Sequence, residues 1–375
     1  MEKRKWNRSG IETSLLGFGC MRFPVTADGK IDEAQAEKML DDAIAAGVNY
    51  IDTAYPYHNG ESEPFVGKAL KKYDRESFYL ATKMPIWKIE TLEDAKNVFE
   101  EQLERLQTDY VDFYLLHAIG KERWEKIKTL GIIPLCEQLQ AEGKIRYFGF
   151  SFHDNYEAFE EILTYRNWDF CQIQYNYMDT CEQAGDKGYA LTEKLDVPLV
   201  IMEPVKGGSL ANFSEDINEQ FHKLDPDASI ASFALRWVGS HPNVKVILSG
   251  MSTPEQVADN LKTFGDFKAF DEAESQAVEK IVEQLKARVQ NGCTGCRYCM
   301  PCPMGVDIPR NFAVWNIYHI YGTYDHVKRE WENGIKPEEK AANCIKCGKC
   351  EAVCPQKIAI REDLAKLQAE LDAAK

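Results

Sequence analysis

An aspartate, a tyrosine, a lysine and a histidine close short apolar runs early in this chain. Asp52 and Tyr57 lie in Asp52-Thr-Ala-Tyr-Pro-Tyr57, Lys83 in Ala81-Thr-Lys83, and His117 in Leu115-Leu-His117. These residue types suit one piece of chemistry, delivery of a proton to a carbonyl oxygen. A free tyrosine, with a pKa of about 10, is a reluctant donor near neutrality. An ammonium beside it stabilises the phenolate and lowers that value, and a carboxylate holds the ammonium in place. A histidine can hydrogen-bond to the same oxygen. Singly, each residue is more often a structural hydrogen-bonding group or a solvated loop charge. Together, at successive strand ends, they point to a site.

A second concentration of chemistry lies near the C-terminus. Of twelve cysteines, Cys20, Cys136, Cys171 and Cys181 are scattered and read as buried thiols or loop residues, while the other eight fall between Cys293 and Cys354. The charged start Met1-Glu2-Lys3-Arg4-Lys5 has no apolar run behind it, so no signal peptide is expected and the chain reads as cytoplasmic. In that compartment clustered cysteines point to metal rather than disulfides. The run Cys344-x2-Cys347-x2-Cys350-x3-Cys354-Pro355 has the spacing of a bacterial-type [4Fe–4S] ferredoxin, in which the fourth cysteine serves the other cluster. The run Cys293-x2-Cys296-x2-Cys299-x2-Cys302-Pro303 is one residue shorter before its last cysteine. With the swap, one cluster takes Cys293, Cys296, Cys299 and Cys354, and the other Cys344, Cys347, Cys350 and Cys302. A single cluster, or zinc held by four thiolates, are the competing readings.

The elements that must position these groups alternate. Residues 3 to 16 read as a hairpin around Ser9-Gly10. Eight short apolar strands are expected at 15–19, 49–52, 78–82, 111–117, 146–151, 171–175, 199–203 and 244–248. Helical patterns fill the gaps at 31–46, 62–72, 91–106, 132–142, 155–164, 185–195, 228–239 and 254–264. This alternation fits a (β/α)8 barrel of α/β class. No Gly-x-Gly-x-x-Gly run opens a helix after the first strand, which counts against a dinucleotide-binding open sheet. A helix at 272–288 then leads into the cysteines, and residues 308–332 read as helical. The expected domains are a barrel over 1–285 and a small, mainly α-helical ferredoxin-like domain over 286–375.

The barrel motifs carry a resemblance. Asp52-Thr-Ala-x-x-Tyr57, Ala81-Thr-Lys83, Leu115-Leu-His117, Gly149-Phe-Ser151 and Gln172-Ile-Gln174-Tyr-Asn176 together resemble the aldo-keto reductases, in order and spacing. So do Gly17-Phe-Gly-Cys-Met21 and Ser249-Gly-Met-Ser-Thr-Pro-Glu255 running on to Asn260. The resemblance implies Tyr57 as general acid, Lys83 and Asp52 as its tuning pair, and His117 orienting the carbonyl. It also implies a nicotinamide cofactor across the barrel mouth, with Ser151 and Gln172 at the carboxamide and Gln256 and Asn260 near the adenine. Met21, Met202 and Gly250 fall at further cofactor-contacting positions. Phe152 stands where many members carry asparagine, Met202 where many carry an aromatic, and Gly250 and Gln256 where basic residues often grip a 2′-phosphate. A phosphate favours arginine or lysine, so NADH is at least as suited as NADPH. Met21, Phe23, Tyr55, Trp87 and Trp124 are pocket-lining candidates. The cysteine region resembles α-helical two-cluster ferredoxin domains, and the whole resembles aldo-keto reductases that carry an iron–sulfur domain.

The expected function is interconversion of a small-molecule carbonyl compound and an alcohol, with one or two clusters that serve an external electron-transfer partner, sense redox state or brace the fold. The alternative is a non-enzymatic electron-carrying or redox-sensing protein that uses the barrel as a binding module. The net charge of -15, with no basic stripe, argues against nucleic acid, and no apolar run reaches membrane-spanning length.

Overall fold

The computed structural model describes all 375 residues, Met1 to Lys375. Ten strands form: β1 (Lys3–Lys5), β2 (Glu12–Ser14), β3 (Leu16–Gly19), β4 (Tyr50–Asp52), β5 (Tyr79–Met84), β6 (Val111–Ile119), β7 (Ile145–Phe152), β8 (Phe170–Gln174), β9 (Leu199–Met202) and β10 (Val244–Ser249). β1 and β2 make the expected antiparallel hairpin, and β3 to β10 close into a barrel in chain order, β10 pairing with β3. All its pairings are parallel, so all eight C-terminal ends share one rim.

The helices are α1 (Glu33–Ala45), α2 (Ser62–Leu70), α3 (Leu92–Leu106), α4 (Lys121–Leu130), α5 (Ile132–Ala141), α6 (Tyr156–Thr164), α7 (Gly185–Lys194), α8 (Glu215–Leu224), α9 (Ile230–Gly239), α10 (Pro254–Gly265), α11 (Glu272–Ala287), α12 (Ile308–Tyr321), α13 (Asp325–Arg329), α14 (Lys349–Ala352) and α15 (Ile360–Ala373). None is long and apolar enough to cross a membrane. One apolar layer lies between strands and helices, and a second fills the barrel bore with Tyr50, Phe113, Phe170 and Val246. Trp6, from the hairpin, joins that inner layer, its ring 5.0 Å from Phe113 and its indole N–H donating to Thr13 at 2.9 Å.

By packing, the chain divides into Met1–Gly207 with Ala231–Phe270, and Gly208–Ile230 with Asp271–Lys375. Residues 208–230 and 271–285, placed with the barrel by the sequence reading, therefore pack with the C-terminal unit. The cause is local: α8 and α11 lie against each other, and Arg288 bonds to Ser214 and Asp216. The core of this unit is built from Phe312, Trp315, Trp331, Leu364 and Leu367, with six cysteines against it. The helix expected over 308–332 stops at Tyr321. Gly322 takes a left-handed φ of 75°, and a Cβ there would come within 2.6 Å of the Ser214 side chain. Helices α4, α8, α14 and α15 lie outside the sequence expectation. In α15 the signal was present, since Ile360, Leu364, Leu367 and Leu371 are all buried at helical spacing.

Trp6→Ala should cost about 3–5 kcal/mol, the usual range for deleting a buried tryptophan. Urea unfolding of the barrel checks this. An unchanged midpoint would show that the hairpin does not support the bore.

Candidate functional site

Asp52 is the last residue of β4, Lys83 lies on β5 and His117 on β6, so parallel pairing of three neighbouring strands gathers them at one rim. Tyr57 opens a short turn past β4, in which His58 and Asn59 adopt left-handed φ values of 51° and 56°. That turn is pinned where His58 Nε2 accepts the Phe23 N–H at 3.1 Å.

The Lys83 ammonium is fully buried and donates three hydrogen bonds: to Asp52 Oδ1 at 2.6 Å, to the Thr53 carbonyl at 2.7 Å and to the Tyr57 hydroxyl oxygen at 3.3 Å. Lysine has three N–H donors, so none is left over. The Tyr57 ring stands edge-on to His117, with centroids 6.2 Å apart, and Trp87 stands 5.0 Å from His117 on the other side. Two buried polar atoms, Asp52 Oδ2 and His117 Nδ1, have no protein partner.

Burial works against each charge, and for Asp52 and Tyr57 it outweighs the opposing pull of Lys83. Burial by itself would push the Lys83 ammonium down, but the charges and hydrogen bonds of Asp52 and Tyr57 together more than offset this and hold it above the ordinary range. Burial raises the Asp52 carboxyl, and the Lys83 charge pulls it part of the way back. Tyr57 departs from expectation. Burial pushes its hydroxyl up, Lys83 draws it down by less, and the net shift is upward. The phenol is therefore fully protonated near neutrality. His117 is held well below its usual value by burial and then by the Lys83 charge, so it is neutral.

Behind Lys83 lies a buried polar network without a sequence signal. Gln102 Nε2 donates to the Lys83 carbonyl at 3.1 Å and to Glu63 Oε1 at 2.6 Å. Thr82 also donates to Glu63 Oε1 at 2.6 Å, and the Tyr114 hydroxyl donates to Gln102 Oε1 at 2.7 Å. Glu63, in the first turn of α2, reads from sequence as a solvated helix-start acid. It is fully buried.

The remaining predicted positions lie around the same rim. Ser151 and Gln172 are register partners on β7 and β8. The Ser151 hydroxyl oxygen accepts the Ala118 N–H at 2.7 Å, which leaves its own proton to give. Gln172 donates weakly to Met202 sulfur at 3.4 Å, and its Oε1 is buried with no partner. A carboxamide, one acceptor and two donors, matches a free hydroxyl proton beside a free acceptor oxygen. Asn260 is buried and donates to Ser249 Oγ at 2.6 Å, while Gln256 Oε1 accepts the Ser252 N–H at 2.7 Å. Both are thus engaged in shaping the loop between β10 and α10. Met21 is exposed.

Sequence reasoning missed Arg22. Its stem crosses Gly250, where a Cβ would lie 3.3 Å away, and its guanidinium passes within 3.7 Å of the Cβ position of Gly207. It places a cation without an ion-pair partner between the loops after β9 and β10. Of the expected pocket-lining residues, Trp87 and Met21 reach the open rim. Phe23 and Trp124 are buried among other aromatic rings, and the Tyr55 hydroxyl faces Glu101 and Lys88.

In the C-terminal unit the cysteine thiols surround hollows and are not gathered on a point. A cavity of about 300 Å³ is lined by Cys302, Cys344, Cys347 and Cys350, with Cys299 also at its edge. A tighter one is lined by Cys293, Cys296, Cys299 and Cys354. The last cysteine of each run thus sits with the first three of the other. No three His, Cys, Asp or Glu side chains converge closely enough to ligate one ion. A zinc site would gather four sulfurs at about 2.3 Å from one centre.

Residues 15–283 match the family model described as the aldo/keto reductase family. The chain belongs to the aldo/keto reductase family. Residues 292–359 of this aldo/keto reductase match the model of a 4Fe-4S dicluster domain. It is 29% identical over 302 residues to the NADH-specific methylglyoxal reductase of Escherichia coli, covering 68% of this chain and 89% of that one. The holo form of an aldo-keto reductase from Bacillus halodurans superposes with a TM-score of 0.63 at 29% identity, over 75% of this chain and 96% of that one. An aldo-keto reductase from Klebsiella pneumoniae in complex with NADPH, at 24% identity and a TM-score of 0.60 over 75% of this chain and 96% of that one, shares the fold.

Asp52→Asn would leave the Lys83 ammonium buried without its counter-charge. Removing one member of a buried pair costs about 3–5 kcal/mol. Because the folded Lys83 pKa lies above its ordinary value of 10.5, the wild-type advantage is fully present below that pH and is lost only as pH rises past it. Urea midpoints of wild type and variant from pH 7 to 11 measure this. A gap that is absent at pH 7 would contradict an ionised pair.

Proposed function

We propose that this aldo/keto reductase reduces a carbonyl compound to an alcohol with Tyr57 as proton donor, and that its C-terminal domain holds two [4Fe–4S] clusters. The observation that carries the first half is the Lys83 ammonium, which touches both Asp52 and Tyr57. When bound, the reduced nicotinamide supplies a hydride to the carbonyl carbon. The neutral His117 offers an N–H to the carbonyl oxygen and sets its direction. The Tyr57 phenol gives its proton to that oxygen as charge develops there. The phenolate left behind faces the Lys83 ammonium, so the charge that costs most in a buried site is met where it forms. Asp52 keeps Lys83 ionised throughout. Ser151 and Gln172 orient the carboxamide through the free hydroxyl proton and the unpartnered Oε1.

For the cofactor, Arg22 meets the pyrophosphate, in keeping with its place between the β9 and β10 loops. Residues 249–257 contain no lysine or arginine and carry Glu255, which disfavours a 2′-phosphate. NADH is therefore the preferred donor, as the name NADH-specific methylglyoxal reductase says of the Escherichia coli relative. Binding titrations with both nucleotides test this. Tighter NADPH binding would overturn it.

Tyr57→Phe should lower turnover by about 10²–10⁴-fold, the usual worth of a positioned general acid, with the nucleotide Kd unchanged. Turnover retained at the wild-type rate would place the proton donor elsewhere, and nucleotide binding without turnover in wild type would favour the barrel as a binding module. In wild type, carbonyl reduction should stay level from pH 6.5 to 10, because His117 is charged only well below its ordinary 6.5 and Tyr57 ionises only above its ordinary 10.0. A rate that falls between pH 7 and 9 would place another group in the proton path.

Two clusters with crossed fourth ligands account for the two cysteine-lined hollows. Cys354→Ser should then remove the cluster served by Cys293, Cys296 and Cys299 and spare the other. Iron content and electron paramagnetic resonance of the reduced protein check this. Loss of a cluster served by Cys344, Cys347 and Cys350 would reverse the assignment.

A further inference from the structure

The larger cysteine cavity opens on an unusual surface. Four of the twelve large apolar side chains that the chain exposes line it: Tyr298 at 69%, Ile345 at 61%, Val353 at 52% and Met304 at 43%. Isolated exposed apolar residues are ordinary, but a group of them around one opening marks a contact surface.

The charge there runs against the rest of the molecule. The chain carries a net charge of -15. Yet its two cysteine segments, 293–304 and 344–361, hold five basic residues, Arg297, Lys346, Lys349, Lys357 and Arg361, against one acid, Glu351. Arg361 is paired with Glu351 and Arg297 with Asp307. Lys346, Lys349 and Lys357 are exposed and have no ion pair, and Lys349 and Arg361 stand at the cavity itself. A local basic patch on an acidic protein steers acidic partners toward one spot and repels them elsewhere.

We propose that this face docks a small acidic one-electron carrier protein of the ferredoxin class, and that the cluster bound by Cys302, Cys344, Cys347 and Cys350 is where electrons enter. The inference rests on the reading that this cavity holds a cluster. Tyr298, Ile345, Val353 and Met304 supply the apolar centre against the carrier, and Lys346 and Lys349 supply the charged rim. Each encounter moves one electron: the carrier's iron–sulfur centre is oxidised by one electron and the cluster is reduced by one, with no bond made or broken and no proton required. Such encounters use small interfaces of less than about 1,200 Å², within reach of an apolar centre and a few charges.

Stopped-flow mixing of the anaerobic full-length protein with a reduced acidic [2Fe–2S] ferredoxin tests this, following cluster bleaching at several salt concentrations. The double variant Lys346→Glu with Lys349→Glu should slow reduction by ferredoxin at low salt at least tenfold and flatten its salt dependence. Reduction by dithionite and the cluster midpoint potential should be unchanged. Lys280→Glu with Lys286→Glu, both exposed on α11, controls for the same change in net charge, and Lys346→Gln with Lys349→Gln serves if the reversal impairs folding. An unaltered ferredoxin rate overturns the proposal. So does a parallel shift in midpoint potential or dithionite reduction, which would make the lysines counter-charges to the cluster alone. Protein that lacks iron, or that dithionite fails to bleach, overturns the cluster reading and the docking face with it. Bleaching by dithionite with no response to ferredoxin overturns the docking face only.

Discussion

The barrel site depends on one buried ammonium. Lys83 has given up water altogether, and a lysine in that position is tolerable only if its charge is met and its three donors are used. Asp52 meets the charge, and the Thr53 carbonyl and Tyr57 hydroxyl take the remaining donors. The same arrangement that makes the lysine tolerable aims a positive charge at the one phenol that stands beside His117. Stability and the proposed proton chemistry draw on a single set of contacts.

That set exists because of the barrel. Parallel strands paired in chain order bring the ends of β4, β5 and β6 together, although Asp52 and His117 are 65 positions apart in the sequence. Glu63, Gln102 and Tyr114 brace the strand from outside by bonding the Lys83 carbonyl through Gln102. The tyrosine itself sits on a turn with two left-handed residues, a strained piece of backbone of the sort that persists where surrounding contacts over-determine it. In the C-terminal unit the scale is smaller and the means differ. Its core is a handful of aromatic and leucine side chains, and six cysteines pack directly on it.

The legible parts of this fold were those whose physics is local. Buried parallel strands must be short apolar runs, so all eight showed in the sequence, and polar residues closing such runs marked the rim. Cysteine spacing is equally local. Three things were not local. Arg22 is an exposed arginine near the N-terminus, and only the approach of Gly207 and Gly250 gives it a role. Glu63 looks like a helix-start acid until tertiary packing buries it. The Tyr57 hydroxyl was expected to be lowered by Lys83, but the sequence contains no measure of how deeply the barrel rim buries it, and burial wins. The stop at Gly322 is itself local, a left-handed glycine capping α12, and the nearness of Ser214 adds only that no side chain fits there.

The central claim is that the Lys83 charge acts on Tyr57 during hydride transfer. The most direct measurement is the single-turnover rate of carbonyl reduction in Lys83→Met, with nucleotide affinity determined separately on the same protein. The account predicts a nucleotide Kd like that of wild type and a hydride-transfer step slowed by about 10²–10⁴-fold. A variant that folds, binds nucleotide and transfers hydride at the wild-type rate would contradict it.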